Sequence, residues 1–211
     1  MTIRTFTRRA ALATAAVASA LVLAACGGGD GDGAGHTGHG TDAGPSASAA
    51  GPSTSAGAHN AQDVAFAQGM IPHHQQALEM ARLATDRAAS PQVKDLASRI
   101  EKAQDPEIRT MTGWLKAWGE QSPMPGMDHS GHSGMPGMMS GDDMAALEKS
   151  TGKAFDTKFL SLMVEHHQGA VAMATTEKEK GRHGGAKAMA DDIVTAQNAE
   201  IKEMKQLLGE E

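Results

Sequence analysis

Tyrosine is absent from these 211 residues, and only four phenylalanines and two tryptophans supply aromatic surface. Acidic residues outnumber Lys and Arg by 25 to 19. Nucleic-acid binding needs basic patches and stacking platforms, and this composition supplies neither. A single cysteine excludes an intramolecular disulfide framework and a Cys-rich zinc site. No Ser/His/Asp arrangement and no phosphate-binding Gly loop is present. Ferritin-like di-iron sites need Glu three residues before His on facing helices. Three places before His73, His74, His166 and His167 stand Met70, Ile71, Met163 and Val164. What the chain has in quantity is methionine (14) and glycine (25).

The methionines and histidines fall in a repeat. Phe66, Met70, His73, His74, Gln75, Ala77, Met80 and Ala81 return at a constant offset of 93 as Phe159, Met163, His166, His167, Gln168, Ala170, Met173 and Ala174. The same offset pairs Ile100 with Ile193, Gln104 with Gln197, Glu107 with Glu200, Met111 with Met204 and Leu115 with Leu208. A duplicated unit of roughly fifty residues is therefore the organising feature. At about 100° per residue, Phe66, Met70, Ala77, Met80, Ala81 and Ala84 form one apolar stripe of a helix. His73 and His74 follow Met70 at three and four residues, so both rings can lean toward the core. A buried imidazole needs a partner for each ring nitrogen, and that demand recurs in identical register. Metal ligation answers it, His being the commonest metal ligand; satisfied core histidines are the alternative.

Before the repeat come two segments of different character. Residues 1–25 carry Arg4, Arg8 and Arg9 ahead of an apolar, Ala-rich run too short for a secure membrane span, as in an export signal. Thr7-Arg8-Arg9 hints at a twin-arginine type, though a Sec signal would look similar. The run ends Leu23-Ala24-Ala25-Cys26-Gly27, which resembles a bacterial lipobox, and the sole cysteine sits where lipidation requires it. The expectation is cleavage before Cys26, a lipid anchor there, and residence on the extracytoplasmic face of the cell membrane. Cleavage would remove three basic and no acidic residues, leaving 16 basic against 25 acidic, a net −9. Such a protein attracts cations. Residues 26–61 are mostly Gly, Ser, Ala, Pro, Thr and Asp and read as a flexible tether, in which His36 and His39 are solvated spacers or weak metal contacts.

The predicted helical domain spans 62–209, as hairpins 62–119 and 153–209 around a linker 120–141. A first helix covers 62–89, with a kink or bulge expected at Pro72. Ser90-Pro91 is a helix start. The second helix runs to about Trp118, with Val93, Leu96, Ile100, Gln104, Glu107, Met111, Trp114 and Trp118 as its inner stripe. Asp105-Pro106 is expected to kink or restart it, making the placement of Glu107 less secure than that of Glu200. Folding at Ser90 brings the His pair level with Gln104 and Glu107, because rise per residue is equal in both helices. A turn near His183-Gly184-Gly185 does the same for His166, His167, Gln197 and Glu200. The two glutamates could ligate a metal, orient an imidazole through its other nitrogen, or pair with a charged His. A short helix to about Ser150 and a long one over 153–180 complete the list of elements.

The linker holds Met124, Met127, His129, His132, Met135, Met138 and Met139 and few other large side chains. Thioether sulfur suits Cu(I), and imidazole suits both copper oxidation states. Copper contact is one reading of this loop; adaptable packing over the bundle is the other.

Taken together, Met70-Ile-Pro-His73-His74-Gln-Gln-Ala77 with Met80-Ala81, Gly137-Met138-Met139-Ser140, Phe155-Asp156, Phe159-Leu160, Met163, His166-His167-Gln-Gly-Ala170 and Met173-Ala174 resemble the DUF305 family of bacterial secreted or membrane-anchored proteins. The resemblance runs from about Gln62 to Leu208. It implies an all-α, ferritin-like four-helix bundle, and some members are described as copper-binding and linked to copper tolerance. The candidates carried over by it are His73, His74, His166, His167, Met70 and Met163. Glu107, Glu200, Met111 and Met204 join them from the hairpin arithmetic.

Three functions follow as expectations. The first is a lipoprotein that sequesters or delivers a copper ion, Cu(I) or Cu(II), outside the membrane, with a metal-exchange protein as partner; absence of thiols suits an oxidising compartment. The second is a metal-free interaction or structural module of the envelope. The third, a ferritin-like metal oxidase, is disfavoured by methionine standing where glutamate should be.

Overall fold

The computed structural model describes residues 58–123 and 135–210. The expected signal, Cys26, the tether, and Met124, Met127, His129 and His132 lie outside the described residues. Among those described there are five helices: α1 (Ala61–Arg87), α2 (Pro91–Trp118), α3 (Gly141–Lys149), α4 (Gly152–Lys180) and α5 (Gly184–Leu208). The chain is all-α, as expected, with four long helices in two antiparallel hairpins. None of the described helices is long and apolar enough to cross a membrane.

The helix ends follow from their sequences. Asn60 caps α1, its side-chain oxygen accepting from the Gln62 and Asp63 N–H groups at 2.9 and 3.1 Å. Asp63 returns the favour by accepting from the Asn60 N–H at 2.6 Å, a capping box. Ser90 and Pro91 start α2 as their residue types require. Gly119 ends it at φ +77°, a left-handed conformation that favours glycine. His183 caps α5 through its ring, where Nδ1 accepts from the Ala186 N–H at 3.1 Å. The helices run unbroken through both Pro72 and Pro106, so the restart expected at Asp105-Pro106 does not occur. A helix tolerates proline where neighbouring packing holds the flanking turns, and Met70, Ile71, His73 and His74 around Pro72 are all buried.

Two aspartates tie the hairpins to each other. Asp156, near the start of α4, accepts from the Ala89 and Ser90 N–H groups at 3.0 Å each, in the turn between α1 and α2. Asp63, near the start of α1, accepts from the Arg182 and His183 N–H groups at 3.0 and 2.8 Å, in the turn between α4 and α5. Residues 63, 89 and 90 match 156, 182 and 183 at the repeat offset. Each hairpin thus supplies the carboxylate that satisfies the other's turn, which fixes their register. Arg99 of α2 and Glu203 of α5 add an exposed link at 2.5 Å. Helices α1 and α4 pack closely, whereas α2 and α5 meet sparingly.

The core has two apolar layers. One gathers Ala77, Met80, Leu96, Ile100, Met139, Leu147, Phe155, Phe159, Met163 and Met204 with their neighbours. The other gathers Phe66, Met70, Ile71, Met111, Leu115, Ala170, Ala174, Ala186, Ala190 and Ile193. On α2 the buried place near the end goes to Leu115, while Trp114 and Trp118, expected on the inner stripe, are half-buried. At the bundle's end they stack on each other, Trp118 stacks on His59, and both meet His183 edge-on.

One acid breaks the repeat. Glu177 occupies the position of Ala84 in the first copy, is fully buried, and no donor meets either carboxyl oxygen at hydrogen-bond distance. Burial pushes its pKa up to about 8, helped by the neighbouring Asp63 carboxylate. For Asp63, burial also acts upward. The neighbouring Glu177 and the hydrogen bonds from the backbone of His183, Asn60 and Arg182 outweigh it and hold Asp63 below the usual carboxylate range. Glu177 is therefore the one of the two that carries a proton at neutral pH. The folded state holds that proton more tightly than the unfolded chain, so the associated stability is full below about pH 4.5 and is lost as pH rises through about 8. Glu177→Gln keeps the donor and has no proton to lose. Thermal denaturation should show it matching the parent at pH 5 and exceeding it at pH 9 by ~1–3 kcal/mol; equal melting curves at pH 9 would contradict a buried proton on Glu177.

Candidate metal centre

Between the two apolar layers lies a polar one. His73 and His74 come from the middle of α1, His166 and His167 from the middle of α4, and all four are fully buried. Gln104 and Glu107 of α2, and Gln197 and Glu200 of α5, stand at the same level. The arithmetic that folds each hairpin at its turn holds: His74 Nε2 lies 2.7 Å from a Glu107 oxygen, and His167 Nε2 lies 2.7 Å from a Glu200 oxygen. Pro106 therefore does not displace Glu107 relative to its counterpart. A carboxylate only accepts, so each Nε2 carries the proton. Neither the His74 Nδ1 nor the His167 Nδ1 has a partner.

His73 and His166 meet across the α1–α4 contact with ring centroids 3.7 Å apart and planes tilted by 39°. Neither nitrogen of either ring has a hydrogen-bond partner. Burial drives the His73 pKa down to about 3, assisted by His74 and His167 and only partly offset by the nearby Pro136 carbonyl. Burial likewise holds His166 well below the ordinary histidine range, with His73, His167 and His74 adding to it. Both rings are neutral, the form in which imidazole ligates a metal. In all, six nitrogens of four buried imidazoles have no partner, and the Gln104 and Gln197 carbonyl oxygens beside them have none either.

Thioethers border this layer on both sides. Met70 and Met111 are fully buried in one apolar layer, Met163 and Met204 in the other. Of the linker residues described, Met139 packs in the apolar core, and Met135 and Met138 are half-buried.

The linker crosses directly over the imidazoles. Gln76 grips it with both ends of its amide: Nε2 donates to the Met139 carbonyl at 3.0 Å, and Oε1 accepts from the Met139 N–H at 2.8 Å. On the other side Gly169 makes room. A Cβ there would lie 2.1 Å from the Pro136 carbonyl oxygen, closer than side-chain carbon ever approaches. A Cβ at Gly137, which has φ +77°, would lie 2.8 Å from both the Gly169 Cα and the His166 carbonyl oxygen. Gln76 and Gly169 are the same position of the repeat, so the one difference between His-His-Gln-Gln and His-His-Gln-Gly matches the linker's single crossing.

The donor chemistry suits a soft or borderline cation: neutral imidazoles, thioethers, no thiolate. Among the described residues no three His, Cys, Asp or Glu side chains already converge on one point. The His73 and His166 rings touch, so ligation here requires them to turn apart. The two glutamates hold the outer rings in one tautomer, as carboxylates do behind metal-ligating histidines.

A family profile described as "Domain of unknown function (DUF305)" matches residues 63–208. The chain belongs to the DUF305 family. Among solved structures, this DUF305 chain is similar to a putative secreted DUF305 protein of Streptomyces coelicolor, at 36% identity and a TM-score of 0.64, covering 70% of this chain and 92% of that one. It is similar to a DUF305 fragment from Deinococcus radiodurans, at 33% identity and a TM-score of 0.65, covering 72% and 99%. It is also similar to CopM in its Cu(II)-bound form, at 36% identity and a TM-score of 0.62, covering 70% and 95%. Comparison with curated proteins gives no match.

In this DUF305 domain the turn-closing role of Asp63 and Asp156, the linker clamp at Gln76 and Gly169, and the buried Glu177 were not read from the sequence. The offset of 93 that revealed the histidines also pairs the two aspartates, so that signal was available. The linker clamp joins residues 63 apart in sequence, and no periodicity announces it.

Unpartnered nitrogens make this layer costly without a ligand. Leaving a buried polar group unsatisfied costs ~1–3 kcal/mol, whereas apolar groups of similar shape can be neutral or stabilising. In metal-stripped protein, His73→Leu with His166→Leu should therefore raise the thermal midpoint by several degrees. Chelator-treated samples in a melting experiment test this, and a lower midpoint would mean that the two rings stabilise the fold by themselves.

Proposed function

We propose that this DUF305 domain binds a copper ion in its central polar layer, outside the cytoplasm, to sequester it or hand it on. His73 and His166 supply the inner nitrogens, His74 and His167 the outer ones, and Met70, Met163, Met111 and Met204 the flanking thioethers. Glu107 and Glu200 orient the outer rings. The observation that carries the reading is the set of six buried, unpartnered imidazole nitrogens at one level of the bundle. The similarity to CopM, whose solved structures include Cu(I)-, Cu(II)- and Ag-bound forms, supports it. A flexible thioether set favours Cu(I) over a hard cation.

The extracytoplasmic setting draws on the similarity to a putative secreted protein and on the basic, apolar segment before Cys26. Lipid anchoring at Cys26 would hold the domain at the membrane surface, with the acidic mature chain drawing cations toward it. In such a position it would exchange metal with another protein. We infer no catalysis: both carboxylates at the layer are engaged with imidazoles, and methionine stands at the Glu-x-x-His positions of a di-iron centre.

Titration of the mature chain with Cu(I) against a chromophoric chelator should give tight binding. His73→Ala with His166→Ala should weaken it at least ~100-fold, since two inner ligands go together. Undiminished affinity in that variant, with affinity lost instead when Met124, Met127, His129 and His132 are replaced, would make the bundle a scaffold and overturn the proposal.

A further inference from the structure

One turn before His73, on the same face of α1, stands Gly69. Glycine inside a helix costs roughly 0.5–1 kcal/mol relative to alanine, and nothing in the local backbone of α1 requires it here. Two thioethers meet over its bare backbone. A Cβ at Gly69 would lie 3.7 Å from the Met135 sulfur and 3.8 Å from the Met173 sulfur, so both sulfurs sit within 4 Å of a single point. Met135 comes from the linker and Met173 from α4, and all three residues are half-buried, within reach of solvent.

Among the described residues this arrangement exists on one side of the bundle only. The repeat counterpart of Gly69 is Leu162, and that of Met173 is Met80, which is fully buried in the apolar core. The counterpart of Met135 would fall outside the repeat. Met135 is also held in place relative to the imidazoles: the next residue, Pro136, presses its carbonyl onto Gly169 and lies beside the His73 ring, and Met139 is gripped by Gln76. The sulfurs of two flexible side chains, brought to one solvent-reachable point beside a buried layer of imidazoles, make a two-coordinate site of the kind soft monovalent cations accept.

We propose that Met135 and Met173, above the notch at Gly69, form an outer two-thioether site for a soft monovalent cation, through which the buried imidazole layer is loaded. The loading clause rests on the copper reading of the inner layer; the outer site does not. No bond is made or broken other than metal–ligand bonds, and the cation keeps its oxidation state throughout.

Ag(I) is the probe, because it is soft and does not change oxidation state. Methionine ε-methyl resonances of the mature chain, assigned with Met135→Leu and Met173→Leu, are followed during titration. The Met135 and Met173 methyls should shift together at low Ag(I), and should still shift in His73→Gln/His166→Gln, where the inner layer is disabled. In rapid-mixing experiments, Met135→Leu/Met173→Leu should slow Ag(I) loading of the inner layer at least ~10-fold while leaving its equilibrium occupancy unchanged. Gly69→Leu, which installs the residue of the second copy and fills the notch, should slow loading as much. Silent Met135 and Met173 methyls in both proteins overturn the outer site, and unchanged loading rates in both the thioether and notch variants overturn its loading role. Shifting methyls with no response from the imidazoles in the parent protein would instead sink the inner copper site and leave the outer site standing.

Discussion

Contact between His73 and His166 at the centre of the bundle is the constraint around which the other features are arranged. Two neutral rings in contact, with no partner for any of their nitrogens, are an unfavourable thing to bury. Domains of this size have net stabilities of only ~5–15 kcal/mol, and each unsatisfied buried group costs ~1–3 kcal/mol. The fold offsets this with an apolar layer on either side, three buried phenylalanines among them, and with turns whose N–H groups are met by carboxylates. Asp63 and Asp156 matter most in this respect, because each closes the opposite hairpin's turn and so fixes α1 against α4 at the height where the imidazoles meet. The same crossing sets the outer rings against Glu107 and Glu200.

Duplication gives the layer its approximate two-fold pattern, and the linker breaks it. A single strand of chain cannot pass over two equivalent half-sites in the same way. One copy therefore carries Gln76, whose amide holds the linker backbone, and the other carries Gly169, whose missing side chain lets that backbone down onto α4. Glu177 in place of Ala84 and Gly69 in place of Leu162 are further departures, and they cluster on the parts of α1 and α4 that face solvent, the linker or the opposite turn. Residues that keep the repeat, such as Phe66 with Phe159 and Met70 with Met163, lie in the core. Symmetry thus records the shared packing problem, and its violations mark where the two halves meet different surroundings.

Much of this architecture was legible in the sequence, for a definite reason. Helical periodicity and a constant repeat offset are local, additive signals. They gave the four long helices, the turn at Ser90-Pro91 and the level at which His74 meets Glu107. Pro106 does not restart α2, which runs unbroken through it and still sets Glu107 against His74. The stripe on α2 was misjudged by one position near its end, where Leu115 is buried and Trp114 and Trp118 are half-exposed. The linker's contacts were not legible at all, since Gln76 with Met139 and Gly169 with Pro136 are pairings of tertiary structure without a sequence period. That Met139 packs in the core, whereas Met135 sits beside solvent, likewise depends on where the linker crosses.

Anomalous diffraction from crystals of the protein loaded with one equivalent of Ag(I) bears most directly on the central claim. The account predicts a strong peak between α1 and α4, within bonding distance of His73 or His166 nitrogen, with the two rings turned apart to admit it. A lattice in which Ag(I) scatters only at surface methionines, with His73 and His166 still in ring-to-ring contact, would contradict it.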